Sequence, residues 1–142
     1  MPDIEDLIPH RPPMRLLDEL LEHDAQATVC RLRITPTSSF LHGGRVPALL
    51  AVEYTAECIA AHSTLASSAG VPHQPRIGYL IGIRRFELHR SFFALGDELL
   101  VTATHVWGTD EGAVFRGEVR AGGAVAADGD LTVALAPRGM RL

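Results

Sequence analysis

The chain has 142 residues, 46% hydrophobic and 21% charged, a globular composition of one-domain size. Its net charge is −4 and all 13 basic residues are arginine. Without lysine it has no Schiff-base chemistry, no pyridoxal-phosphate attachment and no P-loop lysine, and an acidic chain with few aromatics speaks against nucleic-acid binding.

The acidic stretch Met1 to Asp6 lacks the basic and apolar segments of a signal peptide. No apolar run reaches membrane-span length, so no membrane role and a cytoplasmic location are expected. Asp3 to Ile8 reads as one helical turn, ended by Pro9. Arg15 to Thr35 is strand-like with a break near Glu22 to Gln26. In its second half Thr28, Cys30, Leu32 and Ile34 alternate with Val29, Arg31 and Arg33, a period of two. Thr35 to Val46 is a loop rich in Pro, Ser and Gly.

Pro47 to Ala69 is predicted as one long helix. Pro47 suits the first helical position, and Gly70 and Pro72 suit its end. Its interior is apolar on most sides, which predicts a buried helix. Four strand candidates follow, at Ile77–Arg90, Asp97–Trp107, Ala113–Ala121 and Ala124–Ala136, punctuated by Gly-Asp, Thr-Asp-Glu-Gly and Gly-Gly. This order predicts a single α+β domain over 1–142, one antiparallel sheet against one central helix. Cys30 and Cys58 sit in apolar contexts and read as buried free thiols.

Two kinds of residue break the pattern. Glu53 and Glu57 are four apart, hence on one face of an apolar helix. A buried carboxylate is pushed toward its neutral form, which donates a proton as a general acid does. The plain alternative is that these residues face a cleft or pair with an arginine such as Arg84 or Arg85. His42 lies in Phe40-Leu-His-Gly-Gly-Arg-Val-Pro47, just ahead of the helix. There the N–H groups of Ala48, Leu49 and Leu50 are placed to hold a carbonyl oxygen that becomes an oxyanion, with His42 as the base beside it. The plain alternative is a surface-loop histidine. His10, in Pro9-His-Arg-Pro-Pro-Met14, is a further candidate, and His62 is expected to pack on the helix. No HExxH, CxxC, GxSxG, GxGxxG or P-loop occurs, and the histidines lack ligand spacing, so no metal and no cofactor are expected.

Leu7-Ile-Pro-His-Arg-Pro-Pro-Met-Arg-Leu-Leu-Asp18 resembles the opening of the β-hydroxyacyl-ACP dehydratases of dissociated fatty-acid synthesis. Pro47-Ala-Leu-Leu-Ala-Val-Glu53 resembles the start of their central helix, with Glu53 at the acid position. Ile81-Gly-Ile and Gly96-Asp-Glu-Leu99 follow in the family's order. Glu53-Tyr-Thr-Ala-Glu-Cys-Ile-Ala-Ala-His62 and Gly78-Tyr-Leu-Ile-Gly-Ile-Arg-Arg-Phe-Glu-Leu-His89 are more similar to the dehydratase-like proteins of aryl-polyene pathways, the ApeP-like branch. The resemblance implies the hotdog fold, an antiparallel sheet wrapped around one helix. It implies His42 and Glu53 as catalytic residues, and Ala48, Leu49, His10, Gly78 and Tyr79 at the substrate. One departure stands out. The family carries its catalytic histidine in a Gly-His-Phe segment, and an ungapped count back from Pro47 puts Ser39 in that place, followed by Phe40. Either a shortened loop gives His42 the role, or the histidine is lost and His10 substitutes, or the protein does not dehydrate.

The leading expectation is dehydration of a 3-hydroxyacyl thioester carried on acyl carrier protein or coenzyme A. In such enzymes the site draws on two subunits, so a homodimer or higher assembly is expected, or a hetero-oligomer with another hotdog protein. A basic rim for an acidic carrier would come from Arg11, Arg45, Arg84 and Arg85. The alternatives are a hotdog thioesterase and a non-catalytic acyl-binding partner subunit.

Overall fold

The computed structural model describes residues 2–67 and 75–137. A single 3-10 turn, Ile4–Asp6, comes first. The eight strands are β1 (Glu19–His23), β2 (Ala27–Arg33), β3 (Arg45–Pro47), β4 (Gly78–Leu88), β5 (Phe92–Ala94), β6 (Glu98–Thr109), β7 (Gly112–Ala121) and β8 (Ala124–Leu135). The helix α1 spans Leu50–Ser67, between β3 and β4. Six strands form one antiparallel sheet in the order β1-β2-β6-β7-β8-β4, and β3 and β5 pair separately. Helix α1 lies across β2, β6 and β7, the middle of the sheet. This is the hotdog arrangement, and it matches the expected α+β architecture.

Strand β2 keeps the alternation read from its sequence: Thr28, Cys30 and Leu32 point into the core. From the helix, Ala51, Tyr54, Cys58 and Ile59 meet Leu99, Val101, Phe115, Val119 and Leu131 of the sheet in one core cluster. The packing is close enough to need Gly117, because a Cβ there would lie 2.3 Å from Thr55 Cγ2. Both cysteines are buried free thiols, and Cys58 Sγ donates to the carbonyls of Thr28 and Val101.

The expected start of α1 needs correction. Pro47 does not open the helix but ends β3, opposite Phe92. The pair is an isolated two-stranded ladder, where a residue without an N–H is tolerated at an edge. The first helical residue is Leu50. The expected cap region, Ala69 to Pro72, lies outside the described residues. No helix among the described residues is long and apolar enough to cross a membrane.

The two edges of the large sheet differ. Strand β1 is short and carries Glu19 and Glu22. Strand β4 has 11 residues and is apolar from Gly78 to Ile83, yet it has no buried residue on either face. Ile81 is 58% exposed, and Tyr79, Leu80 and Ile83 are exposed with it.

Candidate active site

The approach to the helix is a tight hairpin. His42 and Arg45 form a bridge with N–H to carbonyl bonds in both directions, 2.8 and 3.1 Å. Between them Gly43 and Gly44 have φ of 59° and 76°, the left-handed pair that such a turn requires. The His42 side chain is exposed on this turn. Beyond it, Ala48 donates its N–H to the Ser91 carbonyl, so that group is taken and does not serve as a free donor. Ala51 and Val52 donate to the carbonyls of Ala48 and Leu49. This leaves the N–H groups of Leu49 and Leu50 without a protein acceptor among the described residues, at the positive end of α1.

The two helix carboxylates have separated fates. Glu57 is 2% exposed, and its Oε1 accepts the N–H of Leu16 at 2.9 Å and of Leu17 at 3.3 Å. Burial pushes its pKa up to about 7, against the pull of those two N–H groups. No arginine of β4 pairs with it; Arg85 instead meets Glu87 at 3.1 Å. Glu53, one turn earlier, is exposed, which corrects the expectation of a buried carboxylate at that position. Its apolar neighbours pack on the sheet, while its own side points away from it.

Glu57 holds Leu16 and Leu17 against α1, and His10 lies earlier on the same N-terminal stretch. Burial lowers the pKa of His10 below the usual imidazole value; the charge of Glu53 pulls it back up and that of Arg11 pushes it down. The His10 Nδ1 is buried without a hydrogen-bond partner. The residue sits on a braced turn: Arg11 donates through one guanidinium nitrogen to the Ile8 and His10 carbonyls, at 3.0 and 2.8 Å. Ser39 Oγ donates to the Pro13 carbonyl at 2.5 Å, tying the loop before the helix to this turn. His10 also lines a cavity of about 60 Å³ with Ala56, Ile59 and Ala60 of α1 and Gly78, Tyr79 and Leu80 of β4. Ala56 and Ala60 continue the helix face that Glu53 begins. Three expected substrate residues, His10, Gly78 and Tyr79, therefore share one cavity, while His42, Ala48 and Leu49 are not part of its lining.

A larger cleft of about 580 Å³ opens between the Pro12–Asp18 and Leu32–Ser39 segments, lined by Arg15, Arg33 and several hydroxyls. A third feature had no clear signal in the sequence. Thr28 Oγ1 bonds Nδ1 of both His23 and His62 at 2.8 Å, and His62 and His105 each stack edge-on against Phe115. His62 is buried and its pKa falls to about 4. Only the inward position of Thr28 in the alternation of β2 pointed to a polar contact there. On the outer face, Glu87, His89 and Asp128 lie close together, with Arg116 also on Asp128 at 2.7 Å.

A model of the ApeP-like family, described as ApeP dehydratase, matches residues 2–140. The 3-hydroxyacyl-[acyl-carrier-protein] dehydratase FabZ of Streptococcus uberis is 27% identical over 144 residues, covering 94% of this chain and 95% of the relative. The dehydratase heterocomplex ApeI:P from Xenorhabdus doucetiae superposes with a TM-score of 0.85 at 23% identity, over 97% of this chain and 93% of that one. The E. coli PaaI protein from the phenylacetic acid degradation operon matches at a TM-score of 0.64 and 15% identity, over 84% and 79% of the two chains. At these identities the two structural likenesses concern the fold.

Proposed function

The chain belongs to the ApeP-like dehydratase family, and from that premise we propose that it removes water from a 3-hydroxyacyl thioester on an acyl carrier protein, giving the 2-enoyl thioester in fatty-acid or polyene-type lipid synthesis. The observation that carries this reading is Glu53, exposed on the first turn of α1, on the helix face that Ala56 and Ala60 continue into the cavity lined by His10. The free N–H groups of Leu49 and Leu50 take the thioester carbonyl oxygen, and the negative charge that develops there acidifies the α-carbon. A neutral imidazole removes the α-proton, and Glu53 delivers a proton to the departing β-hydroxyl. His42 and His10 are the two imidazoles available by sequence for the first step.

A second hotdog subunit, either another copy or a related chain, completes the molecule along β4. That strand offers an unpaired backbone edge and uncovered apolar side chains, including Tyr79 at the cavity. Arg84 is exposed on the same strand, and Arg15 and Arg33 line the larger cleft, which suits an acidic carrier. The reading predicts conversion of a 3-hydroxyacyl-ACP to the enoyl-ACP by the purified protein, alone or with its subunit partner, followed by mass spectrometry of the acyl arm. The variant Glu53→Gln is expected to lose at least about 100-fold in rate. Release of a free thiol with no loss of water would point to a thioesterase instead, and full activity of the variant would remove Glu53 from the mechanism.

A further inference from the structure

We infer that the distal half of the acyl chain lies within one protomer, in a groove between α1 and β8 that passes Val133 and Leu135 and ends at His62, and that the chain it suits carries an uncharged hydroxyl at its far end. The inference rests on the dehydratase reading and deepens it by naming the class of acyl chain. The thioester end stays at the site that two subunits share.

A second cavity, of about 230 Å³, lies beyond the one lined by His10. Val133 and Leu135 of β8 line both, so the two are neighbours along that strand. On α1 the first is lined by Ala56, Ile59 and Ala60 and the second by Ser63, Ala66 and Ser67, which continue the same face in steps of three and four. From Ala56 to Ala66 the helix rises about 15 Å, a span that an extended acyl chain of medium length covers. Gly78 leaves room for Leu135 where the cavities meet, since a Cβ there would lie 3.3 Å from Leu135 Cδ2.

The far end is polar at one buried point. His62 lines the second cavity and is 3% exposed. Its Nδ1 bonds Thr28, its ring is held edge-on to Phe115, and its Nε2 has no hydrogen-bond partner among the described residues. Ser63, the other buried polar residue of that lining, already donates to the Ile59 carbonyl at 2.9 Å. The Thr28 hydroxyl has one proton, so it donates to Nδ1 of His23 or of His62 but not to both. Nε2 of His62 is an acceptor in one arrangement and a donor in the other. A hydroxyl pairs with either, and a carbonyl with only one. Burial, helped by the charges of His23 and His105, keeps the ring neutral down to about pH 4, so it offers no charge to a carboxylate. A chain ending in a methyl group would leave the buried nitrogen unpaired, which costs free energy.

The test titrates the full chain with dodecanoyl-pantetheine and ω-hydroxydodecanoyl-pantetheine, neither of which can be dehydrated. The hydroxylated chain is expected to bind about fivefold tighter, the worth of one hydrogen bond, and it alone should move the His62 Nε2 resonance in nitrogen NMR. His62→Phe keeps a ring against Phe115 and removes the nitrogen, so the preference should vanish. If that variant does not fold because Thr28 loses its partner, Ala66→Leu decides, since it narrows the same end from an exposed position and should also erase the preference. Equal affinity, no binding of either chain, an unmoved His62 resonance, or a preference that survives in a folded variant overturns the groove. The matching 3-hydroxy thioesters then separate the two readings. Dehydration of both without preference leaves the dehydratase reading standing and removes the groove. Preferential binding without dehydration of either removes the dehydratase reading and supports the groove.

Discussion

Glu57 shows how one side chain does structural work in a place where two carboxylates looked alike. Its neighbour Glu53 is free of protein hydrogen bonds among the described residues, while Glu57 satisfies two N–H groups of the Leu16–Leu17 segment. Its carboxyl titrates near 7 in the folded chain against 4.5 in an unfolded one. The folded state then holds a proton that the unfolded state has lost, so this residue's contribution to stability declines as pH rises from about 4.5 to about 7. Glu57→Gln keeps an acceptor for both N–H groups and cannot ionise. Relative to the native chain it is expected to gain up to about 3 kcal/mol between pH 4.5 and pH 8, measured by urea unfolding at several pH values. Glu57→Ala removes the acceptor and is expected to cost about 1–3 kcal/mol at pH 4.5, a cost that shrinks as pH rises because the native carboxyl loses its own contribution.

At the scale of elements the decisive contact is α1 on the sheet. Gly117 lets Thr55 approach β7, and an alanine there would force helix and strand apart. Gly117→Ala is expected to destabilise by about 1–3 kcal/mol, and most of that cost should vanish in a Thr55→Ala background, read as the coupling in a double-mutant cycle. The long strands and the helix were legible because their periods run over many residues, as in Thr28, Cys30 and Leu32. The β3–β5 pair was not, since three residues per strand carry no period and Pro47 fits a helix start equally well. The carboxylates at 53 and 57 were legible as a pair, but their different burial depends on what the sheet leaves uncovered. The hold of the Leu16–Leu17 segment on α1 comes from a contact between residues 41 apart, Leu16 and Glu57, and no local pattern announces it.

The whole molecule is asymmetric at its rims. A short acidic strand closes one edge of the sheet, and a long strand with an apolar first half leaves the other open. Ile81→Arg on the open edge is expected to reduce a dimer or mixed complex to protomers in sedimentation equilibrium, and to lower activity in step, because Tyr79 and the cavity lie on the same strand. The helix that crosses this sheet also sets how folding responds to acid. Glu57 binds a proton on folding over the pH range in which His62, one turn further along α1 and held neutral down to about 4, gives one up. Between about 4.5 and 6.5 these two exchanges oppose each other, so as far as this helix is concerned folding neither consumes nor liberates acid. The stability contributed by this pair would stay level while the surrounding pH drifts over that range, and replacing either residue would uncover the slope of the other.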